Sequence, residues 1–330
     1  MNNDFFEIKK MFSEANAIAI YMHVNPDCDC LGSALALYAF LTKMGKKAVV
    51  FSPDLTTNQM YPEKIRFLPG FDIVNSNESN ITKFDLSVGL DTGDAGRLGE
   101  IAFRKFVKAR KTLVIDHHEI HEDYAQYTYR EWDAVSTTQI LYKLFCYINP
   151  EFIDKDIATC LYAGMVTDSG GFTFESNSAE SYYIASKLIE KGIDFSAICE
   201  RLLKDITKRV YILKNRVLSR TKFYENDRIA IIVFRLKDFE ETNTSDKDTD
   251  GIINNAQNVC GVDLAISIAE IAPKKYKLSF RSKNNVNAAA CAKCFGGGGH
   301  YRAAGCRLFG DFDDVYEKVL TMAKEMIYND

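Results

Sequence analysis

The sequence predicts an α/β protein. An N-terminal domain holds a mostly parallel sheet of about five strands flanked by helices, a helical linker follows, and a smaller α/β domain with a mixed sheet ends the chain. Three observations predict this. Apolar strand-like runs alternate with helical patterns through the first half, as βαβ units do. Residues 191–224 carry helical periodicity with little strand signal, and three β-rich runs follow residue 225. A chain of 330 residues is long enough for two buried cores, and the boundaries read as 1–190, 191–224 and 225–330.

A helix over 5–12 precedes the strand-like run Ala17-Ile-Ala-Ile-Tyr-Met22. A helix at 31–44, strands at 47–51 and 85–90, a helix at 99–109 and a strand at 112–115 continue the alternation. Helical patterns then occupy 137–145, 156–166, 178–190 and 195–219. Beyond them, 228–235, 262–271 and 276–281 read as strands and 286–295 as a helix, with the polar stretch 240–250 read as a mobile loop. No internal repeat is present. Ligands of parallel sheets collect beyond the carboxyl ends of the strands, so the residues that follow each run matter most.

Apolar residues at 47% and charged residues at 26% are those of an ordinary globular protein. Nine cysteines, odd in number and scattered, fit reduced thiols in a cytosol. The start lacks a basic segment followed by an apolar one, and no apolar run approaches ~20 residues, so neither an export signal nor a membrane span is expected and the location reads as cytoplasmic. A net charge of −4 excludes a polycation that grips nucleic acid by charge alone. Residues 271–310 nevertheless hold eight Lys/Arg and no acid, leaving 33 basic against 45 acidic side chains elsewhere. That segment is either a local anion site or a solvated face.

The chemistry gathers where elements end. The first strand runs into His23-Val-Asn-Pro-Asp27-Cys-Asp29, the run at 85–90 into Asp91, the run at 112–115 into Asp116-His117-His118, and the helix at 156–166 into Thr167-Asp168-Ser169-Gly170-Gly171. One such Asp is commonly a cap or turn residue. Four clustered together would repel one another unless cations held them. Several Asp oxygens with a few imidazoles favour Mn²⁺-like ions over a tetrahedral structural Zn²⁺. Two ions about 3.5–4 Å apart would need one bridging carboxylate and could activate a water for attack on phosphorus.

The segments HVNPDCDCLGS, VGLDTGDAGRLG, IDHH and GMVTDSGGF resemble, in order, the four motifs of the DHH phosphoesterase family. The resemblance implies one metal held by His23, Asp27 and Asp91, and a second held by Asp29, Asp91, His117 and Asp168, with Asp91 bridging. It also implies that His118 contacts the scissile phosphate and that Asp116 orients the histidines. Arg97 is a candidate substrate contact, with an exposed helix-start Arg as the alternative. Two departures stand out, because Cys28 and Cys30 occupy positions where members commonly carry Gly and a small residue. Thiols there read as inert packing, as extra soft ligands or as oxidation targets.

Gly296-Gly-Gly-Gly-His300-Tyr-Arg-Ala-Ala-Gly305 lets the backbone approach an anion and point amide N–H groups at it. Together SFRS and GGGGHYRAAG resemble the DHH-associated C-terminal domain, which implies that Arg281, Gly297, Gly298 and His300, with Arg302 behind them, bind the remote part of a short nucleotide. A zinc site from Cys291, Cys294, His300 and Cys306 is the rival reading, though its spacing is not that of common zinc modules.

This two-domain form resembles the stand-alone oligoribonuclease and 3′-phosphoadenosine 5′-phosphate phosphatase branch. The expectation is a phosphodiesterase using two Mn²⁺, with Mg²⁺ or Co²⁺ as alternatives, on short RNA or DNA of two to about five nucleotides or on nucleoside bisphosphates. A cyclic-di-AMP phosphodiesterase and a non-catalytic nucleotide sensor are the competing readings. No membrane partner is expected, and a homodimer stays open.

Overall fold

The computed structural model describes residues 4–51, 61–74, 83–119, 122–174, 177–249, 251–299 and 301–328. The chain divides into two units, Met1–Asp205 and Ile206–Asp330. No helix among the described residues is long and apolar enough to cross a membrane.

In the first unit α1 (Asp4–Glu14) leads into β1 (Ala17–Tyr21), α2 (Cys28–Lys43), β2 (Lys47–Phe51), β3 (Leu86–Leu90), α3 (Glu100–Phe106), β4 (Lys111–Asp116) and β5 (Tyr127–Arg130). Helices α4 (Thr137–Ile148), α5 (Lys155–Asp168), α6 (Ala179–Ile189) and α7 (Phe195–Cys199) follow. The sheet order is β2-β1-β3-β4-β5, and every pairing is parallel. A sheet of this kind must be covered on both faces, which is why its strands read as apolar runs. Ile18, Ile20, Val88, Leu113 and Ile115 pack into a core with residues of α1, α2, α4 and α5. On the other face Ala19, Tyr21 and Val114 pack with Leu98, Ala102 and Phe106. Strand β5 was absent from the sequence reading because Tyr127-Thr-Tyr-Arg130 is a largely exposed edge with no apolar run.

Helix α2 starts at Cys28, three residues before the periodicity suggests. Asp27 caps it, its Oδ1 accepting from the Cys30 N–H at 3.0 Å. That cap places Asp29 in the first turn, facing the helices packed against α2. Helices α2 and α5 approach closely at Gly32, where a Cβ would stand 2.5 Å from the Cys160 carbonyl oxygen.

The second unit runs α8 (Lys208–Leu218), β6 (Lys222–Tyr224), β7 (Ile229–Phe234), α9 (Leu236–Thr242), α10 (Ile252–Gln257), β8 (Leu264–Ala272), β9 (Lys275–Ser282), α11 (Ala288–Lys293), β10 (Gly298–Gly299), β11 (Ala303–Phe309) and α12 (Phe312–Tyr328). Its sheet, ordered β10-β11-β9-β8-β7-β6, is mixed: β7 and β8 pair parallel and the remaining neighbours antiparallel. The stretch 240–250 is not the loop its polarity suggests. It holds the end of α9 and a 3₁₀ turn, Asp246–Thr249, while Asp250 lies outside the described residues. Side-chain hydrogen bonds impose that order: Asp238 accepts from the Arg235 N–H, Thr242 donates to the Asp238 carbonyl, and Asp248 accepts from the Ser245 N–H.

The approach at Gly32 gives a stability prediction. Gly32→Ala must push α2 away from the backbone of α5 and should lower stability by about 1–3 kcal/mol, read as a lower urea midpoint. An unchanged or higher midpoint contradicts the packing described.

Candidate metal and phosphoester site

Strand ends place most of the site. β1 delivers His23, β3 delivers Asp91, and β4 delivers Asp116, His117 and His118, while the first turn of α2 supplies Asp29 and the last turn of α5 supplies Asp168. Asp91 adopts φ +57, a left-handed conformation that Asp tolerates better than most residues. Its N–H donates to the Ile115 carbonyl at 3.1 Å, so the carboxylate turns off the strand end with its backbone anchored.

Asp29 is fully buried and lies at the N-terminus of α4. Its Oδ2 accepts from the Thr137 N–H at 2.7 Å, and its Oδ1 from the Thr138 N–H at 3.0 Å and the Thr138 hydroxyl at 2.6 Å. The helix terminus has unpaired N–H groups and a positive end, and it answers both the hydrogen-bonding and the charge of the carboxylate. Gly164 on α5 makes room, since a Cβ there would stand 2.6 Å from Asp29 Oδ1 and from Thr138 Oγ1.

The imidazoles are aimed by their Nδ1 atoms. His23 Nδ1 lies 2.8 Å from the Val24 carbonyl, and its Nε2 lies 3.4 Å from Asp91 Oδ2 and 3.7 Å from Asp27 Oδ2. His117 Nδ1 donates to the Ala134 carbonyl at 3.2 Å, and its Nε2 sits 3.5 Å from Asp91 Oδ1 and 3.6 Å from Asp168 Oδ2. Carbonyls accept only, so each ring keeps Nδ1–H outward and turns Nε2 toward the carboxylates, as metal-binding histidines do.

His118 is held differently. Its Nδ1 is 2.7 Å from Asp116 Oδ1, and its Nε2 is 2.9 Å from Arg97 Nη1. Arginine only donates, so Nε2 must carry a lone pair and the proton sits on Nδ1, against Asp116. Arg97 is therefore not the free helix-start residue of the alternative reading. The Val24 N–H also donates to its carbonyl at 2.6 Å, tying it to the loop after β1.

Charge is unevenly shared. Burial works against the Asp91 anion, yet the His117 and His23 imidazoles that face it hold its pKa well below the usual carboxylate range. Burial, then repulsion from Asp91, lifts Asp29 to about 7, and burial with Asp29, Asp27 and Asp91 pushes Asp168 well up. Burial opposes a charged His117, but Asp91, Asp29 and Asp168 outweigh it and raise it to about 10. Burial likewise opposes a charged His23, and its anionic neighbours raise it. Protons are thus doing in this cluster what a cation could do.

Three donor groups lie close enough to hold an ion: His23, Cys30 and Asp91; Asp91, His117 and His118; and Asp29, His117 and Asp168, with the ligand atoms of each group within 4.8 Å of one another. His23 Nε2, deeply buried and without a hydrogen-bond partner, is the atom that most clearly fits a bound cation. Asp27 stands beside these groups, more than half exposed, with Oδ1 engaged in the cap of α2.

In the second unit the strand period places Lys277, Ser279, Arg281, Ala303, Gly305 and Arg307 on one face, with Arg281 opposite Ala303 and Ser279 opposite Gly305. The alternate residues Tyr276, Leu278 and Phe280 pack with α11 and α12. Arg281 donates to the Phe280 carbonyl at 3.0 Å. Arg302 donates to the Asn284 carbonyl and lies over the Tyr301 ring. A Cβ at Gly297 would stand 2.3 Å from the Gly305 carbonyl oxygen, so that glycine serves a close backbone approach, whereas Gly298 borders open space. His300 lies outside the described residues. Cys291 and Cys306 are buried in the core of this unit and Cys294 is exposed.

Thr137, Thr138 and Gly164 were missed by sequence reasoning. Ser136-Thr-Thr-Gln is legible as a helix start, but no local signal connects it to an Asp 108 residues earlier.

The chain matches the DHH family N-terminal domain over residues 17–165 and the DHHA1 domain over 227–329. Its first unit carries a DHH N-terminal domain and its second unit a DHHA1 domain. Among its relatives, the bifunctional oligoribonuclease and PAP phosphatase NrnA of Thermus thermophilus is 28% identical over 309 residues, covering 93% of this chain and 89% of that protein. The Bacillus subtilis protein of the same name is 25% identical over 329 residues, covering 97% and 98%. The crystal structure of an exopolyphosphatase-related protein from Bacteroides fragilis superposes with a TM-score of 0.88 at 28% identity, covering 98% of this chain and 96% of that one.

Two predictions follow from the carboxylate environments. Gly164→Ala drives a methyl group into the Asp29–Thr138 contact and should weaken divalent-cation affinity at least about tenfold by calorimetry while circular dichroism is unchanged, and unaltered affinity contradicts it. A cation needs Asp29 and His117 unprotonated, so binding near pH 7 should expel more than one proton and affinity should climb as pH rises from about 6 to about 8. Titration in buffers of different ionisation enthalpy counts those protons, and a count of zero contradicts the charge balance.

Proposed function

We propose that this chain is a divalent-metal-dependent phosphoesterase that hydrolyses short oligonucleotides, dinucleotides such as pApA foremost, to mononucleotides, and that removes the 3′-phosphate of 3′-phosphoadenosine 5′-phosphate. The observation that carries the reaction type is a set of donor groups linked through Asp91 and His117, His23 with Asp91 at one end and Asp29 with Asp168 at the other, with His23 Nε2 buried and without a hydrogen-bond partner. The activities for which the NrnA relatives are named support the substrate class. The site is read as holding two ions, Mn²⁺ by first choice, in a cytoplasmic enzyme. When bound, such ions supply the charge that activates water and neutralises the phosphate.

The protein groups have separable tasks. Asp91 faces both imidazoles and would be shared by the two ions, one of which His23 and Asp27 would hold and the other Asp29, His117 and Asp168. Asp116 holds the His118 proton at Nδ1, and Arg97 pairs with Nε2, so a cationic guanidinium stands at the phosphate side of the site. Arg97 and His118 together offset the charge that develops on phosphorus oxygens. In the DHHA1 domain, Arg281, which pairs with Ala303 across β9 and β11, is read as a contact to the remote part of a nucleotide, with Gly297, Gly298, His300 and Arg302 as further contacts.

A product-resolved panel of pApA, 3′-phosphoadenosine 5′-phosphate and cyclic di-AMP, with Mn²⁺ and with Mg²⁺, tests the reading. Preferred turnover of pApA is expected, whereas preferred opening of cyclic di-AMP or binding without turnover contradicts it. Arg281→Ala should raise KM for pApA about 10- to 100-fold, the loss of one charge-assisted contact, and leave hydrolysis of an aryl phosphodiester without a second nucleotide unchanged. Equal loss on both substrates contradicts a role in holding the remote part of the substrate.

A further inference from the structure

One donor group of the site contains sulfur. Cys30 is fully buried, and its Sγ shares a cluster with a ring nitrogen of His23 and a carboxylate oxygen of Asp91, all within 4.8 Å of one another. Donors that share one tetrahedral ion, with bonds of about 2.0–2.3 Å, sit roughly 3.3–3.6 Å apart, within a small side-chain rotation of this arrangement. Asp27, by contrast, has one oxygen engaged in the cap of α2 and its side chain more than half exposed. The three fully enclosed donors at this position are thus a nitrogen, an oxygen and a sulfur.

Burial pushes the free Cys30 thiol up to about 11, so it keeps its proton until a cation displaces it, and the hydrogen bonds around Sγ accommodate that loss. Its Sγ accepts from the His23 backbone N–H at 3.4 Å, a bond that strengthens when the sulfur is charged. Its own proton points to the Leu90 carbonyl, 3.6 Å away, which also accepts from the Thr92 hydroxyl at 2.7 Å. Loss of the thiol proton therefore leaves no buried carbonyl unpaired. Cys28, one turn edge away in the same helix and also buried, belongs to none of the donor groups.

We propose that Cys30 is a thiolate ligand of the ion held by His23 and Asp91, and that it raises the affinity of this position for a borderline-soft cation such as Zn²⁺ or Co²⁺ more than for Mn²⁺ or Mg²⁺. On binding, the metal–sulfur bond replaces the S–H bond and the proton leaves to solvent, with no change of oxidation state. The difference follows from ligand softness, because thiolate favours zinc and cobalt while carboxylate favours magnesium and manganese. The inference rests on the metal-binding part of the proposed function and not on the substrate.

Cobalt supplies the test. The full chain loaded with Co²⁺ should show a near-ultraviolet sulfur-to-cobalt charge-transfer band that is absent from Cys30→Ala and kept in Cys28→Ala. Competition titrations should show Zn²⁺ affinity reduced at least about tenfold in Cys30→Ala, with Mn²⁺ affinity changed less than about threefold. Cys30→Ser, which keeps the size of the side chain, should also lose the band, with thermal melting confirming that it folds. A cobalt-loaded wild type without the band, or a band that survives in Cys30→Ala, overturns the assignment. Absence of the band alongside normal pApA hydrolysis would remove this ligand and leave the enzymatic reading intact, whereas the band without any hydrolysis would do the reverse.

Discussion

The Asp29 carboxylate is buried completely, and much of the N-terminal unit is arranged to make that tolerable. Two backbone N–H groups and a hydroxyl from the start of α4 answer its oxygens, and Gly164 keeps α5 from crowding them. Leaving such a carboxylate without its partners costs on the order of 1–3 kcal/mol or more, a large part of a protein's net stability. Helices α2, α4 and α5 therefore cannot slide past one another freely. Their relative positions carry the geometry of the candidate metal site as well as the core.

From that fixed point the parallel sheet supplies the remaining donors. Strands that run the same way end on the same edge, so His23, Asp91 and the Asp116-His117-His118 segment meet without long excursions of the chain. The left-handed backbone at Asp91 is the local strain that accompanies this turn, and it occurs at the residue with the most demands upon it. Carbonyl oxygens of Val24 and Ala134 then set two imidazoles, and Asp116 with Arg97 sets the third. The outer hydrogen bonds thus divide the histidines into two that present Nε2 to the carboxylates and one that presents a guanidinium.

The fold class was legible because a doubly covered parallel sheet writes itself as apolar runs. β1, β3 and β4 stood out on that basis, and the residues following them were identifiable as chemistry by type alone. β5 was not legible, since an exposed edge strand has no such run, and the ordered segment after β7 was masked by its polarity. The contribution of Thr137, Thr138 and Gly164 was hidden for another reason: a helix start and a small residue acquire their meaning only from the carboxylate they meet in space. Arg97 illustrates the same limit, because its nearness to His118 depends on the packing of the segment after β3 and not on local sequence. Cys30 was visible as a departure from the family pattern, but only its distance to His23 and Asp91 gives the sulfur a partner.

The central claim is that the carboxylates of Asp29, Asp91 and Asp168, with the imidazoles of His23 and His117, enclose a pair of divalent ions with Asp91 between them. Diffraction from crystals of the full chain grown with Mn²⁺, with data collected at the manganese absorption edge, addresses it directly. The account predicts two anomalous peaks about 3.5–4 Å apart, both within bonding distance of Asp91. A single peak, or none at these side chains, would contradict it.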